Sequence, residues 1–270
     1  MHTVQYASLE PSLFQDALYA EISSLLDDEM SVLTAEKNSL ESYYAEVYDR
    51  STIPLTFITL EGAIGAGKST ALEAISKTFG NFVIIQAEPI AEWQEAGAFQ
   101  AMSNKTLSEE TFQFMVLTSV LHQTLRSIEA AKQSGIRIIV AERSLASTLY
   151  IFARRAIKSE TARKTFLYAW NCAMGCIPPN VAYEHIYIEA LPQTCMDRIA
   201  KRNRSGEEHL TQEDLENLVH LHDRWLKDPA DYVSCRDPVV SINSEDTPAH
   251  VAAQTCAAVQ KIVDKAYAKI

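Results

Sequence analysis

The sequence predicts an α/β protein: a parallel sheet of five strands flanked by helices. Three observations carry this. Short runs of β-branched and aromatic residues recur along the chain, separated by stretches with helical spacing. Some of these runs, 136–141 above all, are almost continuously apolar, the pattern of strands buried on both faces. Between the first run and the helical stretch that follows it lies a glycine-rich loop, the connection that parallel α/β sheets use to hold ligands.

Residues 1–52 read as a helical extension without chemistry of its own. Leu13, Ala17, Ala20 and Ser24 recur at helical spacing among acidic positions, and Pro54 marks the stop. Residues 53–270 form the main domain. Its first strand is 55–60 and a helix starts near Lys68; 82–86 is the second strand. A long helix over 108–134 ends at Gly135, and 136–141 is the third strand. Helices over 145–157 and 160–174 follow, closed by Pro178-Pro179. The fourth strand is 185–189, helices cover 192–203 and 211–227, 239–242 is the fifth strand, and a final helix runs to the C-terminus.

Composition narrows the function. The chain has 270 residues, 47% hydrophobic and 22% charged, an ordinary globular balance. A formal net charge of -11 argues against a general nucleic-acid surface, which needs clustered Lys and Arg to neutralise phosphates. No run approaches the roughly 20 apolar residues that span a bilayer, so no membrane partner is expected. The acidic N-terminal stretch, with no Arg before Arg50, is unlike a transit or secretory signal. Cys172, Cys176, Cys195, Cys235 and Cys256 form no zinc pattern and read as reduced structural thiols, which places the protein in the cytoplasm.

The loop Gly62-Ala63-Ile64-Gly65-Ala66-Gly67-Lys68-Ser69 fits G-x-x-x-x-G-K-[ST] without a mismatch, and Thr70 continues it into the helix. Glycines let backbone N–H groups turn inward around phosphates, and the helix presents its positive end. Lys68 reaches the outer phosphates, and the Ser69 hydroxyl can ligate Mg²⁺. This is a P-loop NTPase-type sheet, and ATP with Mg²⁺ is the expected donor. A guanine-specifying Asn-Lys-x-Asp is missing, because Asn104-Lys105-Thr106-Leu107 lacks the Asp.

Ligands sit beyond the C-terminal ends of the strands in such sheets. The second strand leads to Glu88-Pro89-Ile90-Ala91-Glu92-Trp93 and the third ends in Glu142-Arg143-Ser144. Glu88 can take a proton from an acceptor hydroxyl, Glu142 can support Mg²⁺, and Arg143 can brace the transferring group. The basic run Arg198, Lys201, Arg202 and Arg204 reads as a mobile Arg-rich lid that neutralises charge in the transition state.

In combination these motifs resemble the deoxynucleoside kinase family over about residues 55–245. The resemblance implies that Glu88 is the general base on the 5′-hydroxyl, that Trp93 lines the nucleoside pocket beside Ile64, and that Phe112 and Phe152 stack near the base. It implies that Gln113 contacts the base edge, that Arg198, Arg202 and Arg204 gather on the phosphates, and that Glu207 binds the sugar 3′-hydroxyl. Residues 239–246 would pass near the adenine, and a homodimer would form through the region 108–174.

Three positions depart from the pattern. Deoxycytidine and deoxyguanosine kinases carry an Arg and an Asp where this chain has Val120 and Thr148, so the resemblance shifts to the thymidine and multisubstrate branch. Met102 stands where relatives use a Tyr on the 3′-hydroxyl. The expected reaction is therefore 5′-phosphorylation of thymidine or another pyrimidine deoxynucleoside. The alternatives are a thymidylate-type monophosphate kinase, against which Glu88-Pro89-x-x-x-Trp93 and Phe112-Gln113 speak, and a non-catalytic subunit reusing the fold.

Overall fold

The computed structural model describes residues 54–204, 207, 210–228 and 237–267, and the expected extension 1–52 lies outside them. In chain order the first elements are β1 (Leu55–Glu61), α1 (Lys68–Phe79), β2 (Ile84–Gln86), α2 (Ile90–Glu95), α3 (Ala98–Ser103), α4 (Glu109–Ser134) and β3 (Ile138–Glu142). A single helical run follows: an α-helical turn (Leu145–Ser147), a π-helical segment (Thr148–Ala153) and a further α-helical turn (Arg154–Ala156), together α5. The remainder is α6 (Glu160–Gly175), β4 (Val181–Glu189), α7 (Pro192–Arg202), α8 (Gln212–Leu226), β5 (Val239–Asn243) and α9 (Pro248–Tyr267).

All five strands are parallel, in the order β2-β3-β1-β4-β5. β1 is central, and its apolar residues find partners on both faces. Ile58 and Leu60 pack with Ile75 of α1 and Val259 of α9, while Leu55 and Phe57 pack with Ile128 and Ala131 of α4. This explains why the strand reads as an apolar run rather than an alternation. The chain after β1 crosses toward β2 and the chain after β3 crosses back toward β4. The C-terminal ends of β1 and β3 therefore bound the crevice where connections diverge, the usual ligand position in open parallel sheets.

The strand boundaries move by a few residues. β2 starts at Ile84 because Phe82 and Val83 belong to the turn after α1, both bonding back to the Phe79 carbonyl, and Phe82 is 56% exposed. β4 begins at Val181, four residues before the expected start, because the first half of β1 takes it as partner from Leu55↔Val181 onward. Local signals place the long helix well. Ser108 caps α4 by accepting from the Thr111 N–H (3.1 Å), and Gly135 ends it at φ 70°. The short helices α2 and α3, joined at Gly97 (φ 70°), had no expected counterpart.

Candidate active site

The phosphate loop joins β1 to α1 through three glycines at positive φ: Gly62 (144°), Gly65 (84°) and Gly67 (109°). Space is as restrictive as conformation. A Cβ on Gly62 would stand 2.5 Å from the Ile188 carbonyl oxygen, and one on Gly65 would stand 2.6 Å from that of Cys195. Ala63 and Ala66 are buried in the core below, so the loop wraps over β4 and α7. Lys68 Nζ folds back and donates to the carbonyls of Gly62 (3.0 Å) and Ala63 (2.8 Å). Burial, helped by the neighbouring Arg143 cation, pulls the Lys68 ammonium down to about 8.

The end of β3 meets this loop. Ser69 Oγ donates to Glu142 Oε1 at 3.1 Å, setting a hydroxyl beside a carboxylate oxygen. Arg143 has a left-handed backbone (φ 69°), uncommon for a side chain of its size, and its N–H bonds the Leu60 carbonyl (3.1 Å). From there its Nε donates to Glu88 Oε1 (2.9 Å), its Nη1 donates to the Gly62 carbonyl (3.3 Å), and its guanidinium lies 4.4 Å from the Phe152 ring centroid. Glu88, beyond β2, is thus tied to the phosphate loop through one arginine.

These groups line one cavity of about 1000 Å³. One end is aromatic. Trp93 of α2 donates its Nε1–H to Ser119 Oγ (2.9 Å) and meets Phe112 edge-on at 5.5 Å. Gln113 is buried there, and its Oε1 has no partner among the described residues. Val120 and Thr148 line the same end without charge; the Thr148 hydroxyl donates to the Leu145 carbonyl (2.7 Å). Met102 of α3 also reaches the cavity, together with Phe99 and Ser103. Thr148, Phe152 and Arg155 all reach the cavity from α5, the first two from its π-helical segment.

The basic cluster closes the other wall. Arg198, Arg202, Arg204 and Glu207 line the cavity with Ile64 and Thr70. Arg202 Nη2 donates to both carboxylate oxygens of Glu207 at 2.7 Å, and Arg204 Nη1 to one of them at 3.4 Å. Arg198 instead turns to backbone: its Nη1 donates to the Ala66 carbonyl at 3.1 Å.

A glycine-lined phosphate loop, a carboxylate held by arginine and an aromatic pocket with a buried amide together describe a site that joins a phosphate donor to a planar acceptor. The family model described as deoxynucleoside kinase matches residues 58–264, which contain every one of these groups. This chain belongs to the deoxynucleoside kinase family. Among its relatives are deoxycytidine kinase 2 of Gallus gallus, 30% identical over 194 residues covering 63% of this chain and 73% of the relative. The mitochondrial deoxyguanosine kinase of Xenopus laevis is 27% identical over 218 residues, 70% of this chain and 81% of that protein. The mitochondrial thymidine kinase 2 of Homo sapiens is 27% identical over 172 residues, 63% of each. Membership in the deoxynucleoside kinase family supports phosphorylation of deoxynucleosides, with ATP as the family's donor.

The kinase site also holds residues that the sequence reading passed over. Glu61, the last residue of β1, is fully buried. His185, Arg143, Lys68 and Ser144 surround it, yet neither carboxyl oxygen has a partner in bonding geometry among the described residues. Burial pushes its carboxyl above the ordinary range. Arg155 of α5 bonds Asp214 (2.8 Å) and Glu109 (3.5 Å), tying α5 to the starts of α8 and α4. Ser244, within the stretch 239–246 expected near the adenine but not singled out there, lines the cavity beside Arg198. Position alone marks these residues, and no motif reports them. No helix among the described residues is long and apolar enough to cross a membrane.

Proposed function

We propose that this deoxynucleoside kinase transfers the terminal phosphoryl group of ATP to the 5′-hydroxyl of a pyrimidine deoxynucleoside, thymidine foremost. The carrying observation is the base end of the cavity. Gln113 offers a buried carbonyl oxygen without a partner, beside the uncharged Val120 and Thr148. A carboxamide matches the donor–acceptor edge of a pyrimidine, and an uncharged wall leaves a 5-methyl group apolar company. Deoxycytidine is the second reading, because the same amide can serve a cytosine edge and relatives are named deoxycytidine kinases.

The residues suit the donor. The backbone N–H groups of the Gly62–Ser69 loop and the Lys68 ammonium would hold the phosphates. Ser69 Oγ and Glu142 Oε1, 3.1 Å apart, are the oxygen donors that Mg²⁺ takes, and the bound ion would supply charge neutralisation on the phosphate oxygens. Glu88 accepts the proton of the 5′-hydroxyl as the new O–P bond forms and the bond to ADP breaks. Arg143, already on Glu88, steadies the carboxylate and the approaching oxygen. Arg202 and Arg204 move from Glu207 to the transferring group as a lid, Arg198 supports the phosphate loop, and Glu207 turns to the sugar 3′-hydroxyl beside Met102. The acting form is a cytoplasmic homodimer.

Steady-state rates with thymidine, deoxycytidine, deoxyadenosine and deoxyguanosine test the reading. Thymidine is expected to give the highest kcat/KM and the two purines at most about one hundredth of it. Equal turnover of deoxyguanosine and thymidine would overturn the pyrimidine preference. Faster use of thymidine monophosphate than of thymidine would replace the reading with a monophosphate kinase, and no transfer to any acceptor would leave a non-catalytic subunit.

A further inference from the structure

Ser244 stands at the turn between β5 and α9 and is 1% exposed. Its hydroxyl donates to the Ala66 carbonyl of the phosphate loop (2.6 Å) and accepts from Arg198 Nη1 (2.7 Å). Its own carbonyl accepts from Arg198 Nη2 (2.5 Å), and its N–H donates to the Glu189 carbonyl at the end of β4 (2.7 Å). Arg198 Nη1 also reaches the carbonyls of Ala66 (3.1 Å) and Gly65 (3.4 Å). The following residue secures the other side: Glu245 accepts from the Leu191 N–H (2.8 Å) and from Thr194 Oγ1 (2.7 Å) at the start of α7.

These bonds bear on the phosphate loop itself. A Cβ on Gly67 would lie 3.6 Å from Ser244 Oγ and 3.9 Å from Arg198 Nη1, so both groups back onto the residue before Lys68. The Ala66 carbonyl shares a rigid peptide plane with the Gly67 N–H. Anchoring that oxygen therefore fixes where the N–H points, and N–H direction is what makes such a loop a phosphate cradle. Beyond Ser244 the chain enters α9, whose Pro248, Val251 and Ala252 line the same cavity. One buried hydroxyl thus joins the phosphate loop to another wall of the cavity.

We propose that Ser244 is a positioning residue for the phosphate donor, holding the Gly62–Ser69 loop in register with the α9 wall through Ala66 and Arg198. This rests on the reading above that the loop binds ATP. Loss of the hydroxyl removes one hydrogen bond that it donates and one that it accepts, while the acceptor end of the cavity keeps its contacts. The effect should therefore fall on the donor.

Ser244→Ala and Ser244→Cys test this, by calorimetric titration with Mg-ATP and by steady-state kinetics on both substrates. In Ser244→Ala the Kd and KM for ATP are expected to rise about tenfold, equivalent to about 1.4 kcal/mol. The KM for the deoxynucleoside should stay within about twofold of the unaltered protein and kcat within about threefold. Ser244→Cys, close in size but a weak hydrogen-bonding group, should show a partial rise in the same parameter, and it carries the test if Ser244→Ala does not fold. An ATP Kd within about twofold of the unaltered protein overturns the proposal, as does a parallel rise in both KM values, which would mean general loosening. If the unaltered protein itself shows no affinity for ATP, the donor reading fails first and separately.

Discussion

The proton transfer proposed for Glu88 rests on what holds its carboxylate. A carboxylate beyond β2 would be an ordinary turn residue, but Arg143 grips one of its oxygens at 2.9 Å while bonding the phosphate loop. Glu88→Gln should keep the fold and the ATP affinity and lower kcat by about a hundredfold or more. Near-normal turnover would assign the proton to another group. Elsewhere single residues govern pH response. His222 is buried on α8, stacks on Tyr187 at 5.9 Å and bonds the Leu218 carbonyl through Nδ1; burial drives its imidazole down to about 3 from 6.5. Between those values the unfolded chain takes up a proton that the folded protein refuses. Stability should therefore be unaffected by this group above pH 6.5 and fall on acidification through that window, by at most about 1.4 kcal/mol per pH unit. Urea unfolding at a series of pH values measures this, and His222→Phe should flatten the slope by up to one proton.

Among the elements, the phosphate loop is closely confined at its glycines. Gly65→Ala would press a Cβ to 2.6 Å from the Cys195 carbonyl at a φ of 84°, and backbone on α7 yields poorly. ATP affinity should fall at least about tenfold, read by titration, with a smaller change in deoxynucleoside affinity. The loop was legible in the sequence because its pattern is its mechanism, and the central strands were legible because double burial leaves an apolar run. The helices α2 and α3 were not. They span six residues each, too few for a period to declare itself, and hold their place through Trp93, Phe99 and Phe112 packing together. The longer β4 was hidden for a related reason: Val181–Glu184 is a strand because Leu55–Ile58 lies beside it, a fact of pairing and not of composition. Glu61 shows the same limit within the site, since a carboxylate in sequence gives no sign that it will be fully buried among His185, Arg143 and Lys68.

For the whole molecule, the expected self-association has a testable place. Leu125 of α4 and Leu167 and Tyr168 of α6 are exposed at 37%, 44% and 54%, on the two helices that bound the region expected to pair with a second copy. Sedimentation of the intact chain should give a dimer, and Leu167→Glu with Tyr168→Glu should shift it toward monomer; an unaltered dimer would move the interface elsewhere. The cavity lies beyond the ends of the sheet strands, and its two ends are built from largely different elements. The end with the glycine loop hangs on β1, β3, α7 and the turn after β5, and the aromatic end on α2, α4 and α5. The π-helical segment Thr148–Ala153 serves both ends: Thr148 lines the uncharged end, while Phe152 lies against Arg143, which bonds the phosphate loop at the Gly62 carbonyl. A π-helical turn carries one residue more than an α-helical one, so deleting a residue there would tighten it to an α-helical turn, shifting Thr148 and Phe152 while the helix after it keeps Arg155 on Asp214. A one-residue edit of a single helical turn thus reaches the uncharged end of the cavity and, through Phe152 and Arg143, the phosphate loop together.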